Sequence, residues 1–150
     1  MRSRKKLILI VGLSVLVLFT GKTTALEEGA EAPSENRKII AYYFHGTYRC
    51  SSCIKIEEWS YEAIRNGFSA ALEEGKLLWK PVNIEKPENR HFTKEYNLYT
   101  KSLIIVEMNG KNQVRWKNLT KVWELLRNQQ KFFSYVTQEV GVYLENLNGK

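Results

Sequence analysis

Residues Lys38–Cys53 read KIIAYYFHGTYRCSSC. The first part, Lys38–Phe44, is a β-branched and aromatic run without helical spacing, which predicts a central strand buried on both faces. A loop is predicted over His45–Arg49. The two cysteines of the chain, Cys50 and Cys53, follow that loop directly.

A helix is predicted to begin beside the first cysteine, at Ser51, and to run to about Arg65. Its apolar residues recur at helical spacing on one face: Ile56, Trp59, Ala63 and Ile64. Asn66-Gly67 supplies a stop signal, and a shorter helix is predicted over Phe68–Glu74. The Cys-x-x-Cys pattern therefore lies where a buried strand passes into a helix.

The rest of the domain shows further strands and helices. A second strand is predicted over Leu77–Ile84, at an edge or a strand end because Pro81 cannot donate to a ladder. The remaining elements are a helix over Glu88–Tyr96, strands over Ser102–Met108 and Gln113–Lys117 joined by an Asn-Gly hairpin turn, and helices over Leu119–Arg127 and Gln129–Leu147. Residues Phe133, Val136, Val140, Tyr143, Leu144 and Leu147 mark the apolar face of the last helix. This order predicts an α/β fold with a mixed central sheet of about four strands and helices on both faces.

The N-terminus carries most of the excess positive charge. The formal charge of the 150 residues is +7, and residues 1–25 hold five of the 23 basic residues and no acid. Basic residues, an apolar run over Leu7–Phe19 and small residues at Thr23-Thr24-Ala25 predict a signal peptide or a membrane-contacting N-terminal anchor over 1–25. A polar linker is predicted over 26–37. Whether residues 1–25 are a cleaved signal peptide or a retained anchor, the domain is predicted to lie outside the cytoplasm, in the periplasm or an equivalent extracytoplasmic space. The mixed charges of the domain predict no nucleic-acid binding.

The cysteine pair is the motif that indicates a chemical function. Amide N–H groups and the dipole at a helix N-terminus stabilise a thiolate, so Cys50 is the predicted nucleophile and Cys53 the resolving thiol. Arg49 and His45 are predicted to tune that thiolate, and Glu57, one helical turn after Cys53, is a candidate proton shuttle. A Cys-x-x-Cys beside a β–α pattern is typical of a redox-active centre.

The run from Ile39 to about Gly149 resembles the thioredoxin superfamily. The resemblance is carried by AYYFHGTYRCSSC and by Tyr96–Gly110, YNLYTKSLIIVEMNG, which lies without gaps over the thioredoxin segment leading into the hairpin. Within that superfamily the chain is most similar to the exported ArsF-like group, commonly labelled nitrophenyl-compound nitroreductase subunits, on YYFHG-x-x-RC-x-x-C, NIEKPEN, SLIIV and VWELL. The resemblance implies a thioredoxin-like domain over 38–148. It also implies a thiol–disulfide oxidoreductase or an electron-relay accessory subunit, with a protein thiol or disulfide as its partner.

Two departures from the thioredoxin pattern affect the expected site. Ser102 falls at the position of the cis-proline that shapes the partner groove, so the resemblance implies that Ser102 lines this groove. Tyr43 falls where thioredoxins hold a buried aspartate that assists proton transfer. No cofactor is predicted, because the chain shows no Gly-rich phosphate loop or nucleotide fingerprint.

The same two cysteines are also compatible with functions other than redox chemistry. Cys50, Cys53 and His45 together form a ligand set that would suit copper, because thiolates are soft ligands, or zinc. The first prediction, however, is that the protein binds no metal. A structural disulfide is compatible with the spacing as well, and so is a non-catalytic interaction module that uses the fold as a scaffold. A disulfide that closes so short a loop gives little chain-entropy stabilisation, which favours a redox function.

Overall fold

Four strands form one mixed sheet in the computed structural model, which describes residues 36–147. The strands are β1 (Arg37–His45), β2 (Leu77–Asn83), β3 (Ser102–Asn109) and β4 (Asn112–Asn118). Their order is β2-β1-β3-β4, with β2 parallel to β1 and the β1–β3 and β3–β4 pairs antiparallel. The β-branched run is therefore the central strand that its sequence predicts. Pro81 lies in β2, at one edge of the described sheet, where a missing N–H donor is tolerated.

The helices lie on both faces of this sheet. They are α1 (Ser51–Gly67), α2 (Ser69–Glu73), α3 (His91–Glu95) and α4 (Gln129–Leu147), with 3₁₀ turns over Pro87–Asn89, Thr120–Val122 and Glu124–Arg127. One buried cluster joins α1 and α4 to the sheet, and a second cluster joins residues of α3 to its other face. The predicted α/β fold, a mixed sheet of four strands with helices on both faces, is thus confirmed.

The alternation of side chains along β1 explains why both faces are buried. Ile39, Ala41 and Tyr43 belong to the cluster beneath α1 and α4, whereas Tyr42 and Phe44 belong to the aromatic cluster beneath α3. Successive side chains of a strand point to opposite faces, so a strand covered on both sides needs a continuous apolar run. β1 has such a run, and the loop that follows it leads to the two cysteines.

Two predicted helices differ from the observed elements. Leu119–Arg127 forms two 3₁₀ turns instead of an α-helix. The Leu119 N–H donates to the Leu103 carbonyl, and the Trp123 indole donates to the Lys101 carbonyl, so the segment is held against the start of β3. Its local backbone bonds are of the 3₁₀ type, such as that from the Val122 N–H to the Leu119 carbonyl. Tertiary contacts have overridden the apolar periodicity here.

The predicted helix over Glu88–Tyr96 is split in the same way. It consists of the 3₁₀ turn Pro87–Asn89 and the five-residue α3, and Asn97 ends it in the left-handed region at φ 48°. In α4 the predicted bounds hold, but Phe132 rather than Phe133 is the fully buried phenylalanine.

The hairpin between β3 and β4 follows its turn signal. The loop is Gly110-Lys111, and Gly110 has φ 60°, a conformation that favours glycine.

The predicted signal or anchor over 1–25 and nearly all of the linker over 26–37 lie outside the described residues. Between residues 36 and 147, no helix has the length and apolar character needed to cross a membrane.

Candidate redox site

The two cysteines form a disulfide at the N-terminus of α1. Their Cα atoms are 5.0 Å apart. Cys50 is the N-cap residue, with extended backbone, and its Sγ accepts a hydrogen bond of 3.2 Å from the Cys53 N–H. Cys53 is 1% exposed, whereas Cys50 is half-buried. A molecule approaching from solvent therefore reaches the Cys50 sulfur first.

The surroundings of Cys50 suit a thiolate once the disulfide is reduced. The first turn of α1 contains no acidic residue, and the helix runs for 17 residues. Free N–H groups of the first turn and the positive end of the helix dipole both stabilise negative charge at the N-cap. The amide that now faces Cys50 Sγ would donate to the sulfur of the thiolate. The local geometry would thus stabilise a Cys50 thiolate without a separate base.

Tyr43 lies beneath the dithiol. Its side chain is fully buried, and its hydroxyl donates a hydrogen bond of 2.6 Å to the Cys53 carbonyl. Burial raises the pKa of Tyr43 to about 12, against a smaller lowering by Arg49. The phenol therefore stays protonated at neutral pH and serves as a donor. Sequence reasoning noticed Tyr43 as a departure from the aspartate but did not place it in the site.

Arg49 is paired with Glu57. The guanidinium and the carboxylate form an ion pair, and about a quarter of each side chain is exposed. The Arg49 Cζ also lies 5.9 Å from the centre of the Tyr43 ring. Its Nε is buried and has no hydrogen-bond partner among the described residues. Arg49, a predicted tuning residue, and Glu57, the candidate proton shuttle, are thus brought together, but much of the Arg49 charge is offset by Glu57.

His45 is the last residue of β1 and faces the same phenol. Its ring stacks on Tyr43 at 6.0 Å between centres, with 25° between the planes. Its Nδ1 lies 2.8 Å from the Gly46 carbonyl, and a carbonyl can only accept, so Nδ1 carries the hydrogen. In the neutral ring Nε2 is then the free acceptor. Tyr43 is the side chain that contacts three predicted site residues, Cys53, His45 and Arg49.

The loop between β1 and α1 is held by the segment after β2. The Glu85 carboxylate accepts from the Thr47 N–H at 3.0 Å, and the Asn83 amide donates to the Thr47 hydroxyl at 3.1 Å. Hydrogen bonds from the side chain and the backbone of Thr47 lower the pKa of Glu85. Asn83 and Glu85 belong to the segment NIEKPEN, and Thr47 belongs to the loop between β1 and α1. Sequence reasoning used that segment only as a sign of resemblance.

Ser102 is the first residue of β3 and pairs with Phe44 of β1. It is 4% exposed, and its hydroxyl donates to the Thr100 carbonyl at 2.9 Å. The loop before it borders a cavity of about 140 Å³ that His45 and Glu85 also line. Ser102 therefore stands at the strand end that the resemblance implies, and its role in partner binding stays a prediction.

The alternative metal site has no support in the structure. Between residues 36 and 147, no group of three or more His, Cys, Asp or Glu side chains lies close enough to hold a metal ion. The sulfurs of Cys50 and Cys53 are bonded to each other in this structure, and the three-ligand set of Cys50, Cys53 and His45 stays a prediction for the reduced protein.

Comparisons with known proteins give matches among solved structures. No family model matches the chain, and no curated protein matches it. The germline-specific thioredoxin Deadhead of Drosophila melanogaster is 16% identical over 65% of this chain and 83% of its own, with a TM-score of 0.40. Thioredoxin-2 of the malaria parasite is 14% identical over 61% and 82%, with a TM-score of 0.35. A thioredoxin from Thermus thermophilus is 14% identical over 60% and 72%, also at 0.35.

Proposed function

We propose that the protein is a thiol–disulfide oxidoreductase that uses Cys50 and Cys53. The observation that carries this proposal is the unequal exposure of the two cysteines at a helix N-terminus. Cys50 is half-buried and accepts an amide hydrogen bond, whereas Cys53 is 1% exposed. Such an arrangement separates an attacking thiol from a resolving thiol.

The reaction balances without a cofactor. In the reduced protein, the Cys50 thiolate attacks a partner disulfide, forms a mixed disulfide and releases one partner sulfur as a thiolate. The Cys53 thiol then loses its proton to solvent or a nearby base and attacks Cys50 Sγ. This step forms the Cys50–Cys53 bond and releases the second partner thiolate. Two electrons have passed to the partner, and the reverse sequence oxidises a partner dithiol.

A purely structural bridge explains the disulfide less well. The bond joins residues only three positions apart, so it removes little conformational entropy from the unfolded chain. The fold already has a continuous buried core on both faces of the sheet. The fold therefore does not need a stabilising crosslink at the start of α1.

Exposed apolar side chains near the dithiol support a protein partner. Tyr48 precedes it and is 79% exposed, Ile54 follows it and is 41% exposed, and Tyr99 in the loop before β3 is 95% exposed. Exposed aromatic and aliphatic groups around a reactive centre are typical of a protein-binding surface. The partner in this proposal is a protein thiol or disulfide.

We further propose that the protein is exported and that it acts as an electron relay. The basic and apolar residues of 1–25 support export, and an oxidising compartment would maintain the disulfide. The ArsF-like resemblance supports an electron-relay role beside a larger reductase, since such a relay would use the same dithiol. Cell fractionation of the full-length chain tests the location: a cytoplasmic pool alone would contradict export.

The reduction potential of the Cys50/Cys53 pair tests the main proposal. Full-length protein is equilibrated with thiol buffers of known potential, and the free thiols are counted after alkylation. We expect a value between about −120 and −270 mV, the range of catalytic dithiols in this fold. A value below about −300 mV would mean a structural bridge, because such disulfides resist exchange.

A further inference from the structure

We propose that Tyr43 is a positioning residue that keeps Cys53 buried and thereby directs partner attack to Cys50. This inference deepens the proposed function and rests on it. The structural relationship is direct, because the Tyr43 hydroxyl donates to the backbone carbonyl of Cys53 at 2.6 Å. Tyr43 is outside the cysteine motif, and its effect would pass through the position of the helix's first turn.

Tyr43 is held in a fixed position by the sheet. Tyr43 lies in the central strand, opposite Leu103 of β3 and Pro81 of β2, and its side chain is 0% exposed. Because strands pair with β1 on both sides and the Tyr43 ring is closely packed beneath a helix, this side chain has little freedom to move. A hydrogen bond from such a group therefore fixes the height of the Cys53 carbonyl above the sheet.

The Tyr43 phenol is a hydrogen-bond donor and not a base. A hydroxyl that donates to a carbonyl stabilises the position of that carbonyl, and a protonated phenol cannot accept a proton from a cysteine. Burial holds the pKa of Tyr43 far above neutrality, so the donor persists in both oxidation states. Tyr43 would consequently act by geometry, in contrast to a carboxylate at this position.

The hydrogen bond from Tyr43 acts on the turn that sets the different exposure of the two cysteines. Cys50 is the N-cap and lies half-buried, whereas Cys53 is in the first turn, next to the sheet. Without the phenol hydroxyl, the Cys53 carbonyl would lose its contact with the sheet and leave a buried acceptor partly unsatisfied. The first turn would then shift outward, and Cys53 would become accessible to reagents that normally reach Cys50.

Site-resolved alkylation of the reduced full-length protein tests this proposal. The rates of modification at Cys50 and Cys53 are measured separately by mass spectrometry. Tyr43→Phe removes the hydroxyl alone, and we expect the Cys50-to-Cys53 rate ratio to fall about tenfold, the effect of losing one buried hydrogen bond. Tyr96→Phe is the matched control, because Tyr96 is 3% exposed and its hydroxyl donates to Gln113 at 2.7 Å, away from the dithiol.

The outcomes separate this inference from the proposed function. A ratio in Tyr43→Phe within about twofold of wild type, with both variants folded, would overturn the role of Tyr43. Equal falls in both variants would also overturn it, since they would reflect a general loss of stability. Wild-type protein that alkylates preferentially at Cys50 but never exchanges with a partner disulfide would contradict the function alone.

A second measurement keeps the proposal testable if Tyr43→Phe does not fold. The hydroxyl proton of Tyr43 is observed by NMR in oxidised and reduced wild-type protein. We expect slow exchange of this proton with solvent in both states, because the donor and the Cys53 carbonyl remain joined. Rapid exchange in the reduced protein would show that the anchor is absent when Cys50 attacks, and would overturn the inference.

Discussion

The Arg49 guanidinium forms an ion pair with the Glu57 carboxylate, so the cation that directly precedes Cys50 is offset by an acid one helical turn beyond Cys53. Sequence reasoning assigned the two residues separate effects on the thiolate. Because they are paired, the reduced protein should hold Cys50 less acidic than an unpaired arginine would make it. We therefore expect Glu57 to weaken the stabilisation of the Cys50 thiolate by Arg49.

Glu57→Gln should lower the pKa of the Cys50 thiol in the reduced protein. The change frees the positive charge of Arg49 and removes a negative charge from the same helix, and both effects favour the thiolate. The pKa is measured from the ultraviolet absorbance of the thiolate as a function of pH. Glu58→Gln is the matched control, because it removes the same charge from the next, exposed position. Equal shifts in the two variants would contradict a specific role for the pair.

The cysteine variants should fail in different ways. Cys50→Ser should abolish disulfide exchange, because the accessible nucleophile is lost. Cys53→Ser should leave Cys50 able to attack and should trap a mixed disulfide with the partner, visible on a non-reducing gel. Ser51→Ala, an exposed position in the same turn, should behave as wild type. Full exchange by the Cys50 variant would end the redox assignment.

Glu107 should make stability depend on pH. It is 1% exposed and forms ion pairs with Arg37 and Arg115. Burial by itself would raise the pKa of Glu107, but hydrogen bonds from Arg37 and then Arg115 outweigh it and lower the pKa. A folded pKa below the unfolded value of about 4.3 contributes stability above that pH, and the contribution is lost as the pH falls through the folded pKa.

Glu107→Gln should therefore destabilise the protein by about 2 kcal/mol at neutral pH, since two arginines lose their buried partner. The difference from wild type should narrow as the pH falls below about 4, where wild-type Glu107 also becomes protonated. Denaturant unfolding at several pH values measures both effects. Glu139→Gln breaks the surface pair with Lys117 and should cost about 0.5 kcal/mol or less. A constant difference across the pH range would contradict the titration of Glu107.

Residue patterns predict the fold where local and tertiary preferences agree. The continuous apolar run of β1 and the helical spacing of α1 both lead to the observed elements. Leu119–Arg127 also has helical spacing, yet it forms two 3₁₀ turns, and the Leu119 N–H and the Trp123 indole hold it against the start of β3. Periodicity reports which residues are buried, and it does not report such long-range hydrogen bonds.

The same distinction applies to the candidate site. The spacing of Cys50 and Cys53 next to a strand–helix junction is enough to predict the position of the dithiol. The pairing of Arg49 with Glu57 and the bond from Tyr43 to the Cys53 carbonyl depend on side-chain directions within the folded chain. An aromatic residue in a buried strand reads as core, so nothing in its type reveals a hydroxyl aimed at the helix.

Two glycines should respond to alanine in opposite directions. Gly141 lies inside α4, and an added Cβ would meet Phe68 at 3.8 Å, an ordinary van der Waals contact. Gly141→Ala should therefore stabilise the protein by about 0.5–1 kcal/mol, because alanine loses less backbone entropy in a helix. Gly110 has open space around it but a φ of 60°. Gly110→Ala should destabilise by about 1 kcal/mol, because the turn requires a conformation that alanine disfavours. Thermal unfolding of the two variants measures both signs, and a destabilised Gly141→Ala would show that α4 packs more tightly against Phe68 than the contact implies.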